Sequence, residues 1–227
     1  MIAIRASFPG GATLEESIPR RALGQFFGNM MILTARAVTG AEARWVGCAP
    51  VKTQRIYVAN HTSHADFVLL WAALPPHLRS QTCPVAAADY WKKGFIRRYF
   101  AERVFHGVLV ERERVNRLHN PLTPMLEALH HGKSLIMFPE GTRGDGVGLQ
   151  PFKCGVYHLA SSRPDVEVVP VWIDNLHRVL PKGSALPAPL LSSVTFGTPT
   201  HLARGEGKHE FLERIRQSVL DLRKPCA

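Results

Sequence analysis

The chain has 227 residues and a mass of 25.2 kDa, with 45% of residues hydrophobic. That is enough for one domain with a sizeable core. It also excludes a disordered chain, which would combine low hydrophobicity with high net charge. Twenty-eight Lys and Arg against eighteen Asp and Glu give a net charge of +10. Such a balance favours anionic partners: nucleic acid, an anionic membrane surface or phosphorylated small molecules.

The first predicted element is a helix over residues 17–40, with an apolar flank that includes Leu23, Phe26, Phe27, Met30, Met31 and Leu33. Arg20, Arg21 and Arg36 border that flank. Bulky apolar residues beside basic ones suit a helix lying in a membrane interface, and a core-packing helix carries the same pattern. The uncharged window 22–35 is shorter than the roughly 20 apolar residues of a membrane span. Residues 1–11 lack a basic start followed by an apolar run, so no secretory signal is expected. Cys48, Cys83, Cys154 and Cys226 form no C-x-x-C pair, and a reducing cytoplasm is the natural compartment.

Beyond the turn at 47–50, short β-rich runs alternate with helical ones. Strands are expected at 55–59, 84–87, 106–110, 134–138, 167–173 and 192–196. Helices are expected at 65–74, 90–101, 114–131, 155–162 and 208–223, with Gly132 closing the third. This order predicts an α/β fold: a mostly parallel central sheet flanked by helices. The expected organisation is a helical segment at 1–50 and an α/β domain at 51–227. In such sheets ligands sit outside the carboxyl ends of the strands, so the residues just after each strand are the candidates for chemistry.

The strand at 55–59 runs into Asn60-His61-Thr62-Ser63-His64-Ala65-Asp66. A histidine suits general-base work near neutral pH, and a carboxylate on its second ring nitrogen would fix its tautomer. Within one continuous helix, residues five apart would point about 140° away from each other. His61 must therefore lie at or before the helix start to meet Asp66. The strand at 134–138 runs into Pro139-Glu140-Gly141-Thr142-Arg143, where an arginine beside glycine could hold a phosphate or carboxylate. The strand ending at Val110 places Glu111 and Arg112 at the same end of the sheet. A base beside a phosphate-binding arginine suggests deprotonation of a hydroxyl in a molecule that carries a phosphate.

Asn60-His61-x4-Asp66, Gly107–Arg112, Phe138-Pro139-Glu140-Gly141-Thr142-Arg143 and Val169-Pro170-Val171 follow one another in that order. Together they resemble the 1-acylglycerol-3-phosphate acyltransferase family of glycerolipid acyltransferases, over roughly residues 17–200. The resemblance implies an N-terminal interfacial helical motif, with 1–50 as a membrane-associating segment, and transfer of a fatty acyl group from acyl-CoA or acyl-carrier protein to a lysophospholipid hydroxyl. It implies His61 as general base and Asp66 as its orienting partner. Arg112, Glu140, Gly141, Thr142 and Arg143 would form the acceptor phosphate site, with Asn60 supporting the His61 turn. Val169, Pro170 and Val171 would shape the acyl-binding region. No cofactor and no metal are implied beyond the co-substrate, and the expected place is the cytoplasmic face of a membrane, against its anionic lipids. Gly144–Gly148 departs from the family pattern as a longer glycine-rich loop, and aliphatics replace an aromatic before Glu111. Both departures touch the acceptor side, where other lyso-lipids, including ornithine-type ones, are alternatives.

Two other classes fit these residues less well. His61, His64 and Asp66 do not have the spacing of a hydrolytic zinc site. A non-catalytic binder of anionic lipid accounts for the charge but has no need of the His-Asp pair. No helix-turn-helix, RNP or zinc-finger signature points to nucleic acid. Nor is there a G-x-S-x-G turn for an acyl-enzyme.

Overall fold

Tertiary pairing is what turns the short apolar run Arg55–Ala59 into the centre of the molecule. In the computed structural model, which describes residues 30, 42–63, 65–91, 94, 98–111, 120–144, 148–174 and 192–223, every residue of this strand is buried. Helices cover both faces, which is why the run carries no polar alternation. With β1 at Glu42–Trp45, this strand is β2, and the others are β3 (Thr82–Ala87), β4 (Val108–Val110), β5 (Ser134–Met137), β6 (Glu167–Asp174) and β7 (Ser193–Phe196). The seven-stranded sheet has the order β1-β7-β6-β2-β5-β3-β4. Strands β2 to β6 are mutually parallel, whereas β7 pairs antiparallel with β6 and carries β1 parallel to itself.

The described helices are α1 (Asp66–Ala73), α2 (Pro76–Arg79), α3 (Ala88–Trp91), α4 (Leu122–His130), α5 (Gly155–Ser162) and α6 (Lys208–Asp221). On one face of the sheet, Ile56, Val58, Leu135 and Val168 pack against Leu129 of α4, Leu159 of α5 and Phe211 and Ile215 of α6. On the other, Tyr57, Ala59, Ile136 and Val169 pack against Leu69 and Leu70 of α1, with Phe105 beyond. Successive residues of β2 thus serve opposite layers, as the two-residue period of a strand requires. The expected stripe of α6 is core-facing, with Phe211, Ile215 and Val219 fully buried. Gly132 takes φ 72°, and the N–H groups of Gly132 and Lys133 return to Leu129 O and Ala128 O, both at 3.0 Å. These two bonds close α4 as a Schellman turn.

Strand β1 was not among the expected elements. Glu42 and Arg44 are exposed on it, so its four residues give a weak apolar signal. Trp45 nevertheless stacks on Phe196 of β7, with ring centroids 4.0 Å apart and an interplanar angle of 7°. The expected helix at 90–101 is α3 followed, beyond residues outside the described set, by a π-helical turn at Phe100–Val104. The expected helix at 17–40 lies outside the described residues but for one position, whereas that at 114–131 is α4 over its described part, with residues 114–119 outside the described set. Of the first, only Met30 is described, helical and exposed. Among the described residues no helix is long and apolar enough to cross a membrane.

Candidate active site

The pairing register decides what stands at the carboxyl end of β2. Val58 lies opposite Met137 of β5, and Ala59 opposite Val171 of β6. Where the β2 backbone turns away after Ala59, the Asn60 side chain takes over the ladder. Its Nδ2 donates to Ile173 O at 2.9 Å, and its Oδ1 accepts from Ile173 N–H at 2.7 Å. Asn60 is buried, so this double bond ties the exit of β2 to β6 while the next residue swings out.

That next residue is His61, in the turn before α1, which begins only at Asp66. The geometric condition for the pair is therefore met. His61 Nδ1 lies 2.8 Å from Asp66 Oδ2. The same oxygen accepts the backbone N–H groups of Thr62 at 2.6 Å and Ser63 at 2.8 Å. An oxygen already accepting two N–H donors acts as acceptor toward the ring as well, so Nδ1 carries the proton and Nε2 keeps its lone pair. Asp66 is fully buried, whereas the His61 side chain is 23% exposed. The carboxylate also sits in the first turn of α1, where the helix dipole favours negative charge.

The segment after β5 closes on His61 from the other side. Phe138 stacks on the imidazole with centroids 4.5 Å apart. Glu140 is buried; its Oε1 accepts His61 N–H at 2.7 Å and its Oε2 accepts Gln150 N–H at 2.9 Å. Gly144 N–H donates to His61 O at 2.8 Å. Both backbone polar groups of His61 are thus held by the 138–150 segment. Burial pushes the Glu140 carboxyl above the usual glutamate range, with the Gln150 and His61 N–H groups pulling the other way.

Gly141 takes φ 74°, a conformation that favours glycine. Thr142 and Arg143 follow on the exposed side of the same turn. His61, Asp66, Glu140, Gly141, Thr142 and Arg143 are therefore brought together, with Glu140 facing inward and Arg143 outward. Arg112 lies outside the described residues. Val169, Pro170 and Val171 are buried in the middle of β6, opposite Tyr57, Val58 and Ala59; they reach no open surface. Three contributors escaped the sequence reading: the Phe138 ring, the Gln150 amide and Lys153, whose side chain lies over Gly141. Only Phe138, inside the motif itself, left a local trace.

Residues 38–174, more than half of the chain, match the family model described as Acyltransferase. The chain belongs to the acyltransferase family. Curated relatives include the 1-acyl-sn-glycerol-3-phosphate acyltransferase of Haemophilus influenzae, 29% identical over 55% of this chain and 50% of that protein. The Escherichia coli protein of the same name is 30% identical over 66% of this chain and 58% of its own. The lyso-ornithine lipid O-acyltransferase of Pseudomonas aeruginosa is 28% identical over 82% of this chain and 69% of its own. This acyltransferase chain spans 50% to 62% of the length of the first curated relatives it matches. The crystal structure of the 1-acyl-sn-glycerophosphate acyltransferase of Thermotoga maritima has the same fold. Its TM-score is 0.67 at 22% identity, covering 93% of this chain and 86% of that one.

Proposed function

We propose that the protein moves a fatty acyl group from an acyl-CoA or acyl-carrier-protein thioester to the hydroxyl of a lysophospholipid, first of all 1-acylglycerol-3-phosphate, giving phosphatidate. The observation that carries this reading is the His61 Nδ1–Asp66 Oδ2 bond of 2.8 Å, set beside the exposed Gly141–Arg143 turn. The relatives named for 1-acyl-sn-glycerol-3-phosphate support the same acceptor.

A thioester is already activated, so the protein's work is alignment, one proton transfer and stabilisation of an oxyanion. His61 Nε2 takes the acceptor hydroxyl proton as the oxygen attacks the thioester carbonyl. Asp66 stabilises the imidazolium that forms. The tetrahedral intermediate collapses with loss of the thiolate, which recovers the proton from His61 Nε2 and leaves as a free thiol. Arg143 holds the acceptor phosphate in a forked pair of hydrogen bonds. Arg112 assists in the same role. Val169–Val171 contribute to the acyl region from beneath, as the core floor of the site.

The site works at the cytoplasmic face of a membrane, on a peripheral or monotopic protein. The apolar and basic residues of 17–40 and the basic stretch 92–117, which holds eight Lys or Arg against three Glu, suit binding to anionic lipids. The Pseudomonas relative favours a second acceptor, a lyso-ornithine lipid. Thiol release from acyl-CoA with each acceptor tests the choice. Release that needs both lysophosphatidate and His61 supports the first reading. Release with lyso-ornithine lipid alone replaces the acceptor and keeps the chemistry, while no release with any lyso-lipid and either donor overturns acyl transfer.

A further inference from the structure

Lys153 has no part in the mechanism above, yet its side chain lies directly over the positive-φ turn at Gly141. A Cβ added to Gly141 would fall 2.6 Å from Lys153 Cε and 2.9 Å from Cδ, and against Nζ itself. The lysine is tethered there: its N–H donates to Pro139 O at 2.9 Å, and the preceding Phe152 is anchored in the core. It is exposed, and among the described residues no carboxylate is paired with it. The carboxylate nearest in sequence to the turn, Glu140, is turned inward and occupied by the N–H groups of His61 and Gln150. It is therefore not spent on neutralising the lysine.

We infer that Lys153 is a further cation of the acceptor site, pairing with the phosphate of the lysophospholipid alongside Arg143 and Arg112; this rests on the function proposed above. The charge arithmetic favours a cation at this turn besides Arg143. A phosphate monoester carries about −1.5 to −2 charge at pH 7, and Arg143, the guanidinium of this turn, alone leaves up to half of that unbalanced. An ornithine headgroup instead carries one carboxylate and an amine, so a further cation there gains no partner and repels the amine. Lys153 is thus the residue that selects a phosphate over an ornithine headgroup. Its ammonium acts as a point charge on a flexible stem, which places few demands on phosphate orientation. The Gly144 N–H to His61 O bond keeps the turn, and with it the phosphate, in a constant relation to the base.

The test is steady-state thiol release with lysophosphatidate and with lyso-ornithine lipid, for wild type, Lys153→Met and Lys153→Arg, with lysophosphatidate binding measured by calorimetry. Lys153→Met is expected to raise the KM for lysophosphatidate roughly tenfold, as for loss of one charge-assisted bond. The donor KM should stay unmoved, and arginine should restore most of the loss. In the same variant, the preference for lysophosphatidate over the ornithine lipid should fall. An unchanged acceptor KM, or a lower kcat at unchanged KM without rescue by arginine, would overturn the role while wild-type turnover left the acceptor reading standing. Wild type that neither binds nor acylates lysophosphatidate would overturn both.

Discussion

Glu140 grips His61 not by its ring but by its backbone, through the 2.7 Å bond from His61 N–H to Oε1. Because Oε2 accepts Gln150 N–H, one buried carboxylate joins the turn after β2 to the far end of the loop after β5. A glutamine there has one acceptor oxygen and an amide that faces an N–H donor. Glu140→Gln should therefore release one of the two bonds, costing about 1–3 kcal/mol of stability. It should lower kcat more than the acceptor KM, since the imidazole is what loses its position. Thermal unfolding and steady-state kinetics on the same preparation check this; a change in acceptor KM alone would assign Glu140 to the phosphate instead.

The raised pKa of Glu140 gives a second reading of the same residue. Burial holds its carboxyl above the unfolded value. Its stabilising contribution is fully present below that unfolded value and is lost as pH rises through the folded one. The stability of wild type relative to Glu140→Gln should accordingly decline as pH rises through the range just above that of an ordinary glutamate. Chemical denaturation of both proteins from acid to neutral pH measures the slope, and a difference rising with pH would reverse the sign.

His61 and Asp66 should separate catalysis from folding. His61→Ala removes a partly exposed ring and should abolish turnover with little loss of stability. Asp66→Ala should abolish turnover and also strand the N–H groups of Thr62 and Ser63 beside a buried site, lowering stability by about 1–3 kcal/mol for each bond lost. Equal melting temperatures for the two variants would contradict that division.

Arg143→Ala should raise the acceptor KM with a smaller effect on the donor KM. An unchanged acceptor KM would remove Arg143 from phosphate binding.

Thiol chemistry provides a control on the fold itself. Burial pushes the Cys83 thiol up to about 11, whereas Cys154 is exposed before α5. Alkylation followed by peptide mass spectrometry should mark Cys154 in the native protein and Cys83 only after unfolding. Ready labelling of native Cys83 would contradict its place in the sheet.

Much of this molecule was legible as residue pattern. The central strands are short apolar runs because both faces are covered, and the helices between them end where Gly132 or a polar turn stops them. The His-x4-Asp pair and the Phe138–Arg143 block were visible because their parts are close in sequence. Strand β1 was not, since Glu42 and Arg44 hide a strand that only pairing with β7 makes plain. The inward turn of Glu140, which the motif suggested for the acceptor, was hidden as well. Its partners lie 79 residues before it and 10 after it, and no local preference announces such a bond.

The sequence by itself determined which groups are chemically able to act: an imidazole, a carboxylate five residues on, and arginine beside glycine. Those follow from residue type and local spacing. Only the tertiary structure decided which of them face the substrate and which serve the fold. The register of β2 between β5 and β6 sets Asn60 on Ile173, His61 against Phe138 and Glu140, and Val169–Val171 beneath the sheet surface. A shift of one residue would turn every side chain of β2 to the other layer, and the base would lose its partners. Register is a property of pairing between distant strands, and the core packed on both faces is what holds it.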